Sequence, residues 1–206
     1  MLVAEKNKAT ALDRLLFGAG GGHVPGEWGI WVFIFGDMTW YCLMCVTYMT
    51  DRVKHIAEFN RAAGTLHHDI AAVNMLLLLT SSLAVAYAVR AVRHGIRGRL
   101  VSALMAVAVT CGLAFVVNKA YEYQSMWHAG YTPIGGQAFY MWYYILTWVH
   151  LTHLIGGIFV LRFMYYVSKR SPLEPGDIRS MECCASFWHA VDLLWVILFP
   201  LLYLVR

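Results

Sequence analysis

Phe187-Trp188-His189-Ala190-Val191-Asp192-Leu193-Leu194-Trp195 places two ionisable residues near the middle of an apolar run long enough to cross a bilayer. His189 and Asp192 are three residues apart, so a helix carries them on one face. A charge at the centre of a membrane helix costs about 2.5–3.5 kcal/mol or more unless it is paired or neutral. That face is therefore expected to point at protein rather than lipid.

The rest of the chain agrees with a membrane setting. Of its 206 residues, 60% are hydrophobic and 14% charged, and mean hydropathy is +0.56. A soluble domain is nearer half apolar and a quarter charged. Four more apolar segments precede the last, which covers about 183–205. They cover about 28–49, 70–89, 100–117 (continuing as helix toward Trp127) and 137–168. Each reaches the roughly 20 residues of a membrane span. Trp28, Trp127, Trp142–Tyr144, Tyr165 and Tyr166 fall near segment ends, at headgroup depth. The expected fold is an all-α, polytopic bundle of five transmembrane helices spanning 28–206, following an interfacial, cytoplasmic segment 1–27. Leu12, Leu15 and Leu16 suit a short surface helix there, and Gly18–Gly22 a link. That segment lacks the layout of a signal peptide. Pro200 is expected to bend the last span without abolishing it.

Lys and Arg set the orientation. Ten of them fall in the N-terminal segment and the loops 90–99 and 169–182. Five lie on the other side: Arg52, Lys54, Arg61, Lys119 and Arg206. Arg162 lies inside the fourth span near the richer side and can snorkel to it. The bias puts the N-terminus inside and the C-terminus outside. The basic residues flank apolar segments and form no separate patch, which argues against nucleic acid as a partner. No internal repeat of the inverted-repeat transporter kind is visible. Cys42 and Cys45 form a C-x-x-C within a membrane helix with no strand before it, and read as packing residues ahead of redox or metal ligands.

Asp37, Glu122, His150, His153, His189 and Asp192 are the polar groups at membrane depth. Such residues serve as proton or ion paths and cofactor sites, or pair across helices and fix the bundle. Pairing is the expectation for the histidines and Asp192. Asp37, with no ionisable neighbour on its own helix within one turn, stands equally in both readings. His150 and His153 are spaced to share a metal, but an H-x-x-H alone is a weak signal and no dense histidine cluster accompanies it.

Five motifs occur in order, each in its own span. They are Trp28-Gly29-Ile30-Trp31 with Asp37; Asn74 running through Leu79 to Thr80-Ser81-Ser82; Ala120-Tyr121-Glu122-Tyr123; His150-Leu151-Thr152-His153 before Gly156 and Gly157; and Trp188-His189-x-Val191-Asp192-x-x-Trp195. In this the chain resembles subunit III of the haem–copper oxidase superfamily, in its short five-helix form. The resemblance implies a subunit with no redox centre or directly bound cofactor. It packs beside the catalytic subunit I and other subunits of the complex, whose haem and copper lie in the partner, in a bacterial inner membrane. It supports assembly, stability and proton uptake in aerobic electron transport, and slows turnover-linked inactivation. It further implies packing roles for Trp28, Trp31, Asn74, Trp188 and Trp195. Lipid or proton contact is implied at the buried carboxylate, usually Glu in the family and Asp37 here. The phospholipid-holding cleft of the longer, seven-span members does not carry over by itself. An accessory subunit of a nitric oxide reductase shares the resemblance. A freestanding transporter or proton channel and a histidine–metal enzyme are the rivals from other classes.

Overall fold

The computed structural model describes residues 26–96, 98–170 and 174–205. The surface helix and glycine link expected before Pro25 lie outside the described residues. Five long helices form the bundle: α1 (Trp28–Lys54), α3 (His68–Arg93), α4 (Arg99–His128), α5 (Ala138–Val167) and α6 (Pro175–Phe199). All five have the length and composition of membrane spans. A short helix, α2 (Ile56–Ala63), lies between α1 and α3, and a π-helical turn (Pro200–Leu204) closes the chain.

Each apolar run became a helix, but polar residues set several of the ends. The α6 helix starts eight residues before the apolar run. Its first turn is built by a reciprocal cap: Glu174 and Asp177 each accept from the other's backbone N–H, with Pro175 in the first turn. Pro200 has no N–H to continue the ladder, and the expected bend takes the form of the widened turn after Phe199. The α2 helix is amphipathic and buries Phe59, Ala62 and Ala63. It is too short to register among the membrane runs, and the sequence reading missed it.

Helices α3, α4, α5 and α6 form the packed body. Trp188 of α6 is its wedge, fully buried against two glycines. A Cβ on Gly157 would stand 2.7 Å from the indole, and one on Gly112 would stand 3.1 Å from it. Small residues are what let a bulky ring seat between membrane helices. Trp195, about two helical turns on, is also fully buried, edge-on to Phe115.

The α1 helix is held differently. Only 11% of its most apolar stretch is buried in this chain, against 44% for the last span. It is pinned at a few points: Tyr41 donates its hydroxyl to Leu146 O at 2.6 Å, and Arg52 reaches Val205 O at 2.9 Å. Trp28, expected to pack, is instead 85% exposed, and Trp31 is half-buried. They begin the helix at the bundle's edge, where no other described helix covers Trp28.

Candidate functional site: the buried polar layers

Three polar layers cross the bundle. The first, near the C-terminal end of α4, is centred on Lys119, which the sequence reading places among the outside charges. That placement is corrected here: Lys119 is 1% exposed, inside the bundle. Its ammonium has three hydrogens and three oxygens around it: Glu122 Oε2 at 2.9 Å, Tyr203 OH at 3.0 Å and Tyr143 OH at 3.2 Å. Tyr203 in turn donates to Glu122 Oε1 at 2.7 Å. The rings of Tyr123, Tyr143, Trp195 and Tyr203 lie 4.9–5.7 Å from the ammonium. The charge is thus neutralised by Glu122 three residues along α4, spread over aromatic faces, and fully hydrogen-bonded. The π-helical turn matters here, because it carries Tyr203 into the knot. Beside the knot, Asn118 donates its amide to Asn74 Oδ1 at 2.8 Å, joining α4 to α3 through the fully buried Asn74.

The middle layer holds the remaining candidates. Asp37 of α1 meets His153 of α5, with Oδ1 and Nε2 3.0 Å apart. His153 Nδ1 lies 2.7 Å from Val149 O. A carbonyl oxygen only accepts, so Nδ1 carries a hydrogen. The pair is about one-fifth exposed on each side, at the edge where α1 joins the body.

His150 is completely buried, and its Nε2 donates to Val191 O at 3.2 Å. Its ring packs against both Phe115 and Trp195, which also touch each other. His150 and His153 thus turn toward different partners. Among the described residues, no group of three or more His, Cys, Asp and Glu side chains comes together as a metal-ligand set.

The opening stretch of sequence also resolves differently from its spacing. His189 Nδ1 lies 2.6 Å from Ser82 Oγ on α3, not against Asp192. Asp192 is 3% exposed, and neither carboxyl oxygen completes a hydrogen bond among the described residues. Ser82 is close enough to interact with it. The indole N–H groups of Trp188 and Trp195 are likewise buried, with no acceptor among the described residues. Sharing a helical face brought His189 and Asp192 to the same side, where both stand beside Ser82 and do not bond to each other.

The third layer joins the start of α1 to α6. Glu182 accepts from Arg93 Nε at 2.6 Å and from the backbone N–H of Gly26 at 2.9 Å. Gly26 has φ +80°, and a Cβ there would also meet Cys183 Sγ at 2.9 Å. The sequence reading did not single out Glu182, because it sits at the polar edge of the last apolar run.

These layers define an all-helical, membrane-spanning scaffold whose ionisable groups are largely paired within the chain. The comparisons make the class specific. A family model described as Cytochrome c oxidase subunit III matches residues 25–205, and the chain belongs to that family. It is 25% identical over 181 residues to the cytochrome bo(3) ubiquinol oxidase subunit 3 of Pseudomonas putida, covering 85% of this chain and 84% of the relative. It is 33% identical over 138 residues to a probable cytochrome c oxidase subunit 3 of Rickettsia conorii, covering 66% and 47%. Over 181 residues it is 24% identical to the cytochrome c oxidase subunit 3 of Corynebacterium diphtheriae, covering 86% and 87%. The chain is a multi-pass protein of the bacterial inner membrane and an accessory subunit of a haem–copper oxidase.

Proposed function

We propose that this chain serves its oxidase as a non-redox scaffold beside catalytic subunit I, which carries the haem and copper. There it supports assembly, stability and proton uptake in aerobic electron transport. The observation that supports this most is the direction of the membrane histidines. His150, His153 and His189 point at Val191 O, Asp37 and Ser82, on three different helices, and so converge on no common centre. The relatives' printed names are oxidase subunits, and no feature of the bundle favours the reductase, transporter or metalloenzyme alternatives.

Asp37 is the residue to which we assign the proton-linked part of the role. It meets His153 at 3.0 Å, in the least enclosed of the membrane-depth pairs. The orientation with the N-terminus inside fits the same reading. With Lys119 removed from the outside count, ten inner cations face four outer ones. Membrane lipid is the second proposed partner.

Two measurements test the function. A tag on this chain should recover a haem-containing oxidase from native membranes; recovery of the chain without any haem protein would remove the proposal. Within that complex, Asp37→Asn should leave haem content and subunit stoichiometry unchanged while shortening the number of turnovers before inactivation. Unaltered turnover lifetime and proton uptake would make Asp37 a packing residue only.

A further inference from the structure

His189 is partly exposed on the face where α6 meets α3. Its partner Ser82 stands about 21 Å along α3 from His68 and about 16 Å from Arg93, which puts the pair deep in a roughly 30 Å hydrocarbon core. The Ser82 hydroxyl has one hydrogen. It completes a hydrogen bond with His189 Nδ1 at 2.6 Å and none with the nearby Asp192. Nδ1 is then the acceptor, and the neutral imidazole carries its own hydrogen on Nε2. Among the described residues no acceptor meets that N–H, and hydrocarbon offers none.

Other outward-facing polar groups of the spans are answered within this chain. Thr39, Thr47, Thr80, Thr110 and Thr152 each return the hydroxyl hydrogen to a carbonyl three or four residues back. His153, also partly exposed, has both ring nitrogens engaged. The surroundings of His189 suit a close neighbour. Ser186 and Ala190 on α6, with Ser82 and Ala86 on α3, are small and at least partly exposed. Three- and four-residue spacing keeps them on the His189 face, and small residues admit the backbone of a second helix. Leu193, four residues beyond His189, is 49% exposed.

We propose that the α3–α6 face is an interface, occupied by a membrane helix of another subunit that presents a side-chain oxygen to His189 Nε2–H. An acyl chain would cover Leu193 but leave the imidazole hydrogen unanswered; an oxygen acceptor on a closely packed helix answers both. The proposal rests on the reading of this chain as one subunit of an oxidase complex, and adds which face meets a neighbour and through what contact.

The test is photo-crosslinking in native membranes with benzoylphenylalanine in place of Leu193, followed by recovery of the complex and sequencing of the attached peptide. Attachment is expected within a membrane segment of another subunit of the haem-containing complex, with an oxygen-bearing side chain within one helical turn. Attachment to lipid alone, or to a segment without such a side chain, would overturn the proposal. His189→Leu should speed loss of this chain from the complex in detergent about tenfold, the scale of one lost hydrogen bond. His189→Gln, whose amide carries an N–H near the position of Nε2, should restore most of the retention. Equal loss in both variants, or none in either, would also overturn it. If His189→Leu fails to accumulate, the crosslink decides alone. A haem-containing complex recovered with Leu193 crosslinked only to lipid defeats this proposal and leaves the oxidase reading standing; recovery of no haem protein defeats both.

Discussion

Two buried polar regions of this bundle, about two helical turns apart, are built on opposite terms. At Lys119 every charge has an answer: the ammonium's hydrogens meet Glu122, Tyr143 and Tyr203, and Glu122 uses both oxygens. Around Asp192 the fit is steric. Trp188 is locked against Gly112 and Gly157, while the carboxyl group has only Ser82 close by and the indole N–H groups of Trp188 and Trp195 have no acceptor among the described residues. The first region is cohesive through electrostatics that a low-dielectric surrounding strengthens; the second is cohesive through shape. Breaking each should therefore require a different kind of change.

The largest effect is expected at the knot. Glu122→Leu leaves the Lys119 ammonium buried without its counter-charge, a loss of about 3–5 kcal/mol. It should appear as failure of the subunit to remain in the purified complex. Lys119→Met combined with Glu122→Leu removes both charges and should restore most of that stability. A double variant no better than the single would show that the ion pair is not what Lys119 needs.

Next comes the wedge. Gly157→Ala sets a Cβ 2.7 Å from the indole of Trp188 and should destabilise by about 1–3 kcal/mol, the usual range for an overpacked core. Gly156→Ala, where a Cβ meets nothing within 4 Å, should change the thermal transition by less than about 0.5 kcal/mol. Equal effects at the two glycines would mean that the second region is not held by shape.

The Asp37–His153 pair is intermediate in kind, since it is paired but partly exposed. A cycle of Asp37→Asn, His153→Gln and the double variant should give a coupling near 1 kcal/mol in thermal stability; additive single effects would contradict the contact. The smallest effect is expected for Asp192→Asn. It keeps the side-chain shape and removes no hydrogen bond with good geometry, so it should cost under about 1 kcal/mol. A loss as large as that of Glu122→Leu would show that Asp192 holds a charge-dependent partner and erase the contrast.

The contrast also explains what was legible in the sequence. The five spans follow from apolar run length, and their middles were placed correctly. Their ends were not, because the Glu174–Asp177 cap and the π-helical turn are made by polar or special backbone chemistry that hydropathy does not register. At the site, the sequence picked out Asp37, His153 and Glu122 by their polarity at depth, yet it gave Glu122 no partner. Lys119 counts among the outside charges in the sequence reading, although the helix is expected to continue past it toward Trp127. The signal that could have found it was present: Lys and Glu three apart, followed by aromatic residues through Trp127 with no Gly or Pro to end the helix. The pairing of His153 with Asp37, 116 residues apart, and the turn of His189 toward Ser82 instead of Asp192 are tertiary facts. Helical spacing gives the face of a side chain but not the helix it meets.

The most direct test of the scaffold account is where the metals go when the complex is taken apart. This chain, released from its partners in mild detergent with its helices intact, should carry no haem spectrum and no stoichiometric copper or iron, both remaining with the partner fraction. Haem or copper that stays on the released chain in stoichiometric amount, and is lost on replacing His150 or His153, would contradict it.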